Sequence, residues 1–539
     1  MPTSAEPYPG VVLDLLAAAG DRPVFEHGAR AVTGAQLLGL VRRMAAGLRA
    51  ADIGPGDGLA MLLGVSPEAF AAIIAGYVVG ARVVGVRPGL SDGQLRHLLG
   101  QDITAVVTDT ATGPATGPAT VPATVPELGP PALTAPPALT APRPLTAPPT
   151  LTAPRPLTAP PTLTAPRTLT VPELLAAPDD GGPPRLSGRP HDVARLVHTS
   201  GSTGTPKACA QTYAAMNAAW TARPRAWPPA IRELASRLRR YLVFGSLSSQ
   251  VMMEYGVLTL AAGGTMVVAD PPAFPDAIVR HRATATVITV PRLYKLVAAQ
   301  RADPADLSSL QALMVSGSPV AASRLREALD VLGPVVFQGY GQTETGTISM
   351  AMPWDVPPSV GFPPDVVDVV IRDADGRPVP PGVDGELYVR TPAQAIGYWA
   401  EPAETAQVFV DGWVRTRDLG HFDEDGRLYL VGRTRDVVIV NANLYYAGPI
   451  ERVLATSPEV AEAYVVGAPD EDTGEAVHAF VVPVAGRTPD LGELRRLVGE
   501  QLGAACVPAT ITVIEEAPPA PNGKPDKRLL MTAIPRAET

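Results

Sequence analysis

The stretch GLAMLLGVSPEAFAAIIAGYVVGARVVGV, residues 58–86, decides the architecture. Residues 58–64 form a short apolar run, the pattern of a strand buried on both faces. Pro67 then opens an Ala- and Ile-rich segment that continues to Gly80. Proline suits the first turn of a helix, where its missing amide donor is not needed. Residues 81–86 return to a Val-rich run. Strand, helix and strand at this spacing predict a parallel βαβ unit, and with it an α/β layer architecture. Upstream, Thr33 can cap a helix whose Leu37, Val41, Met44 and Leu48 share one face. Downstream, residues 194–197, 265–270, 284–290, 312–315 and 335–337 are further buried-strand candidates.

A chain of 539 residues exceeds what one hydrophobic core supports, so at least two domains are expected. With 46% hydrophobic and 18% charged residues the composition is that of an ordinary globular protein. A formal net charge of -9 lacks the electrostatic footprint of a nucleic-acid binder, although a local phosphate site remains compatible with it. Cys209 and Cys506 alone make neither a disulfide framework nor a Cys-rich metal site. Residues 1–16 lack a basic segment ahead of an apolar run, and no uncharged apolar run reaches spanning length. A cytoplasmic protein without a membrane partner is expected. Lys207, Lys295, Lys524 and Lys527 stand against forty arginines, so each lysine is a somewhat better functional candidate than usual.

Between residues 111 and 172 the character changes. Leu133, Leu139, Leu145, Leu151, Leu157, Leu163 and Leu169 mark a six-residue repeat rich in Thr, Ala and Pro. Recurrent proline removes amide donors and fixes φ, so the segment is read as a disordered or polyproline-like insertion with no chemistry of its own. Past Val431, short runs at 438–440, 463–466 and 477–482 predict a smaller α+β domain.

Two segments carry chemistry. Thr199-Ser200-Gly201-Ser202-Thr203-Gly204-Thr205-Pro206-Lys207 follows a strand candidate and combines hydroxyls, glycines and a lysine. Such a loop can turn N–H and O–H groups toward phosphate oxygens while the lysine offsets their charge. It is not a Walker-type P-loop, because Pro206 stands where the glycine before the lysine should be. The second is Gln338-Gly339-Tyr340-Gly341-Gln342-Thr343-Glu344. Glycines beside Tyr340 let the backbone approach a ligand and leave the ring free to stack on a base. Thr343 offers a hydroxyl, and Glu344 a hard oxygen suited to Mg²⁺. Alone, a Gly-Tyr-Gly turn is more often structural.

Together these segments resemble the core motifs of the ANL superfamily of adenylate-forming enzymes, which covers acyl- and aryl-CoA ligases, adenylation domains of nonribosomal peptide synthetases, and luciferases. Further matching stretches are Ser316-Gly317-Ser318-Pro319, Gly385-Glu386-Leu387, Gly397-Tyr398-Trp399, Gly412 to Asp418, Gly432-Arg433-Thr434-Arg435-Asp436 and Pro521-Asn522-Gly523-Lys524. The resemblance implies a large, multi-sheet α/β adenylating domain at residues 1–431, a hinge at 432–436 centred on Asp436, and a smaller mobile α+β domain at 437–539. It implies ATP and Mg²⁺ as cofactors. Thr199 to Lys207 would hold the β,γ-phosphates, and Gly317, Ser318, Pro319 and Tyr340 would bracket the adenine, with Gly339, Gly341 and Gln342 beside it. Asp418 would take both ribose hydroxyls, Arg433 the ribose or phosphate, Thr343 the α-phosphate and Glu344 the Mg²⁺. Lys524 would bridge the attacking anion and the charge developing at phosphorus, then leave the site as the hinge turns.

Departures from the family pattern cluster on the acyl and thiol side. Ile439 and Ala442, followed by Asn443, stand where a Lys and a Gly usually line the pantetheine tunnel. Ser248 replaces an acyl-gating His, Tyr213 replaces a His after the phosphate loop, and Arg417 replaces a common Gly. A pocket edged by Ser248, Gly317, Gly339 and Gly346 could hold a flat aromatic acid. The leading expectation is a ligase that activates a small aromatic carboxylate and passes it to a thiol of CoA or a carrier protein. CoA itself is in doubt because of the tunnel residues. The alternative is a diazotase that adenylates nitrite and forms a diazo group on an aryl amine. A third reading, a nucleotide-binding scaffold, is opposed by Glu344, Asp418, Arg433 and Lys524.

Overall fold

The computed structural model describes residues 7–86, 92–100, 102–109, 166–179, 181–199, 207–219, 223–269, 273–317, 320, 322–355, 357–434, 436–440, 443–470, 473–518 and 525–534. Among them the chain builds four sheets. The βαβ unit forms as expected: strands Gly58–Leu62 and Arg82–Gly85 pair in parallel, Leu59 opposite Val83, around helix Pro67–Val78. Ser66 caps that helix through the Ala69 amide at 3.0 Å. Every residue from Ala69 to Val78 is buried, the signature of a helix wrapped by protein on all sides. Burying a side chain such as Phe70 or Ile74 stabilises by roughly 1.5–3 kcal/mol. Gly76 permits the contact with the sheet, since a Cβ there would sit 2.9 Å from the Val83 side chain.

The unit belongs to a seven-stranded sheet that continues through Val193–Thr199, Lys207–Thr212 and Gly397–Tyr398 on one side. On the other side lie Ala105–Thr108 and Arg167–Thr170. The last strand corrects the reading of residues 111–172 as one unstructured insertion: Arg167 to Thr170 pair in parallel with Ala105 to Thr108. Residues 167–171 lie between Pro166 and Pro172 and contain no proline, so the ladder keeps its donors. Thr170 then caps a short helix in a reciprocal box with Glu173. The repeat as far as residue 165 lies outside the described residues.

The eight-stranded sheet runs Gly346–Ala351, Val336–Gln342, Ala312–Val315, Ala285–Ile288, Arg240–Val243, Thr265–Val268, Pro23–His27, Arg30–Thr33. Its apolar side chains share one core with helix Pro67–Val78 and with the Thr33-capped helix Gly34–Ala50. A third, antiparallel sheet holds Asp368–Arg372, Gly385–Arg390, Trp413–Phe422 and Leu428–Arg433. A fourth has its own core: Val437–Val440, Asn443–Tyr446, Val460–Asp470, Gly474–Pro483 and Thr510–Val513, packed on helices Ala447–Leu454 and Leu491–Leu502.

Arg82 binds the edge of the βαβ unit together. It donates to the carbonyls of Gly56 (3.0 Å) and Asp102 (2.6 Å) and to the Asp102 carboxylate (2.9 Å), and its guanidinium lies 4.3 Å from the Trp399 ring centre. Leucine would leave both carbonyls without a donor. Arg82→Leu is therefore expected to destabilise the protein by about 2 kcal/mol, read as a lower urea midpoint at unchanged m-value.

Candidate functional site

The hydroxyl- and glycine-rich segment is the connection of a hairpin. Strands Val193–Thr199 and Lys207–Thr212 are antiparallel, and Thr199 is the register partner of Lys207, so the two ends of the loop face each other. Ser200, Gly201, Ser202, Thr203 and Gly204 lie outside the described residues, as do Ser318, Pro319 and Lys524. Lys207 forms an ion pair with Glu404 at 2.9 Å, and its ammonium stands 5.7 Å from the Tyr398 ring centre. Glu404 also binds Arg417 at 2.8 Å. Burial alone would raise the Glu404 carboxyl, but the hydrogen bond from Lys207 and the charge of Arg417 outweigh it and hold the group below its ordinary range. The lysine expected to offset phosphate charge is thus already engaged by protein.

Arg417 has φ of 62°, in the left-handed region that glycine adopts freely. This accounts for the glycine common at that place in the resembling family. A non-glycine residue there costs on the order of 1 kcal/mol, which the ion pair with Glu404 helps to offset.

The second motif is strand up to Gln342 and turns only at Thr343 and Glu344. Gln338 to Gln342 are the second half of strand Val336–Gln342, paired antiparallel with Gly346–Ala351. Gly341 is needed for that pairing, because a Cβ would fall 2.4 Å from the Gly346 carbonyl oxygen. The expectation of a free Tyr340 ring is also corrected: the ring is 8% exposed and packs among Ile348, Val360 and Leu387. Its hydroxyl donates to Asp418 Oδ2 at 2.7 Å. Burial, followed by the adjacent Asp418 charge, pushes this phenol well above its ordinary value, so it stays a neutral donor. Gln342 Nε2 donates to the same oxygen at 2.6 Å, and Arg433 Nε to Asp418 Oδ1 at 2.7 Å. Asp418 is only 4% exposed, and it faces Arg433 as its register partner on the neighbouring strand.

Thr343 and Glu344 lie in the tight connection after Gln342. Glu344 Oε1 accepts from the Tyr398 hydroxyl at 2.6 Å. Cys209 lies beside the same carboxylate; burial and then the Glu344 charge push its thiol up, so it is no nucleophile. Glu404, and the Tyr398 hydroxyl as partner of Glu344, were missed in the sequence. Tyr398 stands in the matched stretch Gly397-Tyr398-Trp399 and Glu404 just beyond it, but no spacing rule ties Tyr398 to Glu344 or Glu404 to Lys207.

Ser248 lines a small recess of about 20 Å³, room for little more than a water molecule, between helix Pro67–Val78 and helix Gln250–Ala261. Gly317, Gly339 and Gly346 do not line this recess: Gly339 is on strand Val336–Gln342, Gly346 opens strand Gly346–Ala351, and Gly317 follows strand Ala312–Val315. Tyr213 also turns away from the loop it follows. It is buried and donates to the Ala81 carbonyl at 2.8 Å. Ile439 and Asn443 fall on paired strands of the fourth sheet, their side chains outside the described set; Ala442 lies outside it altogether.

Asp436 accepts from Lys527 Nζ at 2.7 Å, and Glu451 shares the same ammonium at 2.7 Å. Burial lowers the Lys527 value, but the two carboxylates outweigh it and raise it. Without the cation these carboxylates would repel across a half-buried site. Lys527→Met is expected to weaken the fourth sheet by about 2 kcal/mol, seen as faster hydrogen exchange in Val437–Val440, whereas Lys527→Arg should retain most protection.

The profile of the AMP-binding enzyme family matches residues 15–399, and that of the AMP-binding enzyme C-terminal domain matches residues 449–524. A feruloyl-CoA synthase from Amycolatopsis is 32% identical over 92% of this chain and 93% of its own. A fatty acid–[acyl-carrier-protein] ligase from Streptomyces coeruleorubidus is 32% identical over 62% of this chain and 67% of its own. Among solved structures, an amide bond synthetase from Marinactinospora thermotolerans superposes with a TM-score of 0.78 at 31% identity, covering 97% of this chain and 99% of that one.

Proposed function

This chain belongs to the AMP-binding enzyme family, and from that premise we propose that it is an ATP-dependent ligase joining AMP to a small aromatic carboxylic acid. A carboxylate oxygen attacks the α-phosphorus, the bond to the β-phosphate oxygen breaks, and pyrophosphate leaves. The acyl group then passes to a thiol of CoA or of a carrier protein: the sulfur attacks the acyl carbon, the bond to the phosphate oxygen breaks, and AMP leaves. One observation carries the reading. A continuous path of contacts runs from Lys207 at the base of the loop, through Glu404, to Arg417, the chain neighbour of the buried Asp418.

In this reading the loop from Thr199 to Lys207 receives the β,γ-phosphates, with Gly317, Gly339 and Gly341 leaving room for the base. Asp418 accepts the ribose hydroxyls, in exchange for donors it now takes from Tyr340 and Gln342. Arg433 holds that carboxylate in place through its hydrogen bond to the other oxygen. Mg²⁺, when bound, neutralises phosphate charge, and Glu344 fits it, because this ion binds through few carboxylates plus phosphate oxygens. Tyr398 fixes the plane of that carboxylate by its hydrogen bond. Thr343 donates to the α-phosphate. Lys524 meets the charge that develops there, and Asp436 is the pivot that brings it in and takes it out.

The test is pyrophosphate release from ATP with aryl acids, fatty acids and nitrite, each with and without CoA. AMP and pyrophosphate should appear with an aryl acid, and Lys524→Ala should slow that step about a hundredfold, on the order of 3 kcal/mol of transition-state stabilisation. ADP and phosphate as products, or an unchanged rate in Lys524→Ala, would sink the proposal. Release with nitrite alone would move the assignment to diazotisation.

A further inference from the structure

Glu404 holds two cations on one oxygen. Lys207 Nζ stands 2.9 Å and Arg417 Nη1 2.8 Å from Glu404 Oε1, and Arg417 Nη2 also donates to Gln407 Oε1 at 3.4 Å. The side chains of Lys207, Glu404 and Arg417 are 11%, 16% and 15% exposed, so solvent screens these charges poorly. One cation would neutralise the carboxylate. The second is present although the two cations repel each other.

Lys207 is the member placed to change partner. It opens strand Lys207–Thr212 at the foot of the hydroxyl- and glycine-rich loop, opposite Thr199. Arg417 lies inside strand Trp413–Phe422, with its guanidinium on two residues of helix Pro402–Val408. A lysine that turns to a phosphate oxygen leaves its carboxylate behind, and stripping a cation from a carboxylate at this depth opposes the move. Arg417 on the same oxygen removes most of that cost. The backbone agrees: at φ 62° glycine would be unstrained, so the chain accepts strain to keep a guanidinium here. The same helix seats the other end of the site. Thr405 Oγ1 accepts from the Tyr398 amide at 2.9 Å, and the Tyr398 hydroxyl donates to Glu344 at 2.6 Å.

We propose that Glu404 and Arg417 are positioning residues for Lys207: Glu404 holds the ammonium before nucleotide arrives, and Arg417 keeps the carboxylate paired when Lys207 turns to the phosphates of ATP. This rests on the adenylation reading of the same chain. Neither residue touches the nucleotide. Together they set how readily the loop lysine is released to it, and the step is an exchange of ion partners in which no covalent bond changes.

The experiment measures the Kd of MgATP by isothermal titration calorimetry, with pyrophosphate release from aryl acids recorded in parallel. Arg417→Gly removes the second cation and the backbone strain together, and should weaken MgATP binding about fivefold, the scale of one partly screened ion pair. Adding Glu404→Gln to Arg417→Gly should bring Kd back to within about twofold of the wild type, a non-additive rescue, because Lys207 then leaves no carboxylate behind. Arg417→Lys, which keeps the charge, should hold most of the affinity. A merely structural role gives the opposite order, since the second substitution would add to the damage of the first. A double variant that binds no better than Arg417→Gly, or Arg417→Gly with an unchanged Kd, would overturn the exchange and leave adenylation standing. Circular dichroism verifies folding, and Arg417→Asn replaces Arg417→Gly if the latter does not fold, since asparagine also tolerates left-handed backbone. Absence of both MgATP binding and pyrophosphate release in the wild type would overturn the adenylation reading instead.

Discussion

The Asp418 carboxylate, almost wholly withdrawn from water, is the interaction on which the site depends. An ionised carboxylate in that position costs several kcal/mol unless its lone pairs are met. Tyr340 and Gln342 meet one oxygen from the eight-stranded sheet, and Arg433 meets the other from the adjoining strand of the third sheet. The same bonds therefore hold two sheets in register. A slip of one residue between Trp413–Phe422 and Leu428–Arg433 would turn Arg433 to the opposite face and strand the charge.

Polar groups around this centre are already committed to one another. Lys207 is bound to Glu404, Glu404 to Arg417, and Glu344 to Tyr398. In the proposed reading, nucleotide would bind at this site by exchange of partners more than by capture of idle donors. That keeps the charges neutralised and oriented before the ligand arrives, the condition under which fixed dipoles stabilise a transition state without reorganising. Arg417 extends the idea to the backbone: its left-handed conformation is tolerated because its side chain ends on Glu404.

The strand-end motifs and the recess beside Ser248 differ in how they are built. Residues proposed for ATP come from short consecutive motifs at strand ends, where backbone amides and small residues do the holding. The recess beside Ser248 draws on two helices, two strands and a loop, and its polar floor joins Arg195 to Glu254 across 59 positions of sequence.

Sequence by itself determined what depends on local periodicity and on contiguous residues. The βαβ unit at 58–86, the Thr33-capped helix and the candidate strands could all be read that way, because alternation, capping and glycine placement act over a few residues. It misjudged Arg167–Thr170, where a proline-poor tetrad hides inside a proline-rich repeat, and it took a strand carrying Tyr340 for a turn. Only the tertiary structure decided that Tyr340 is buried with its hydroxyl on Asp418, that Lys207 meets Glu404, and that Ser248 shares a recess with Arg195 and Gln250. These contacts join segments far apart in the chain. No propensity or spacing encodes them; they arise when sheets pack and buried charges must find partners.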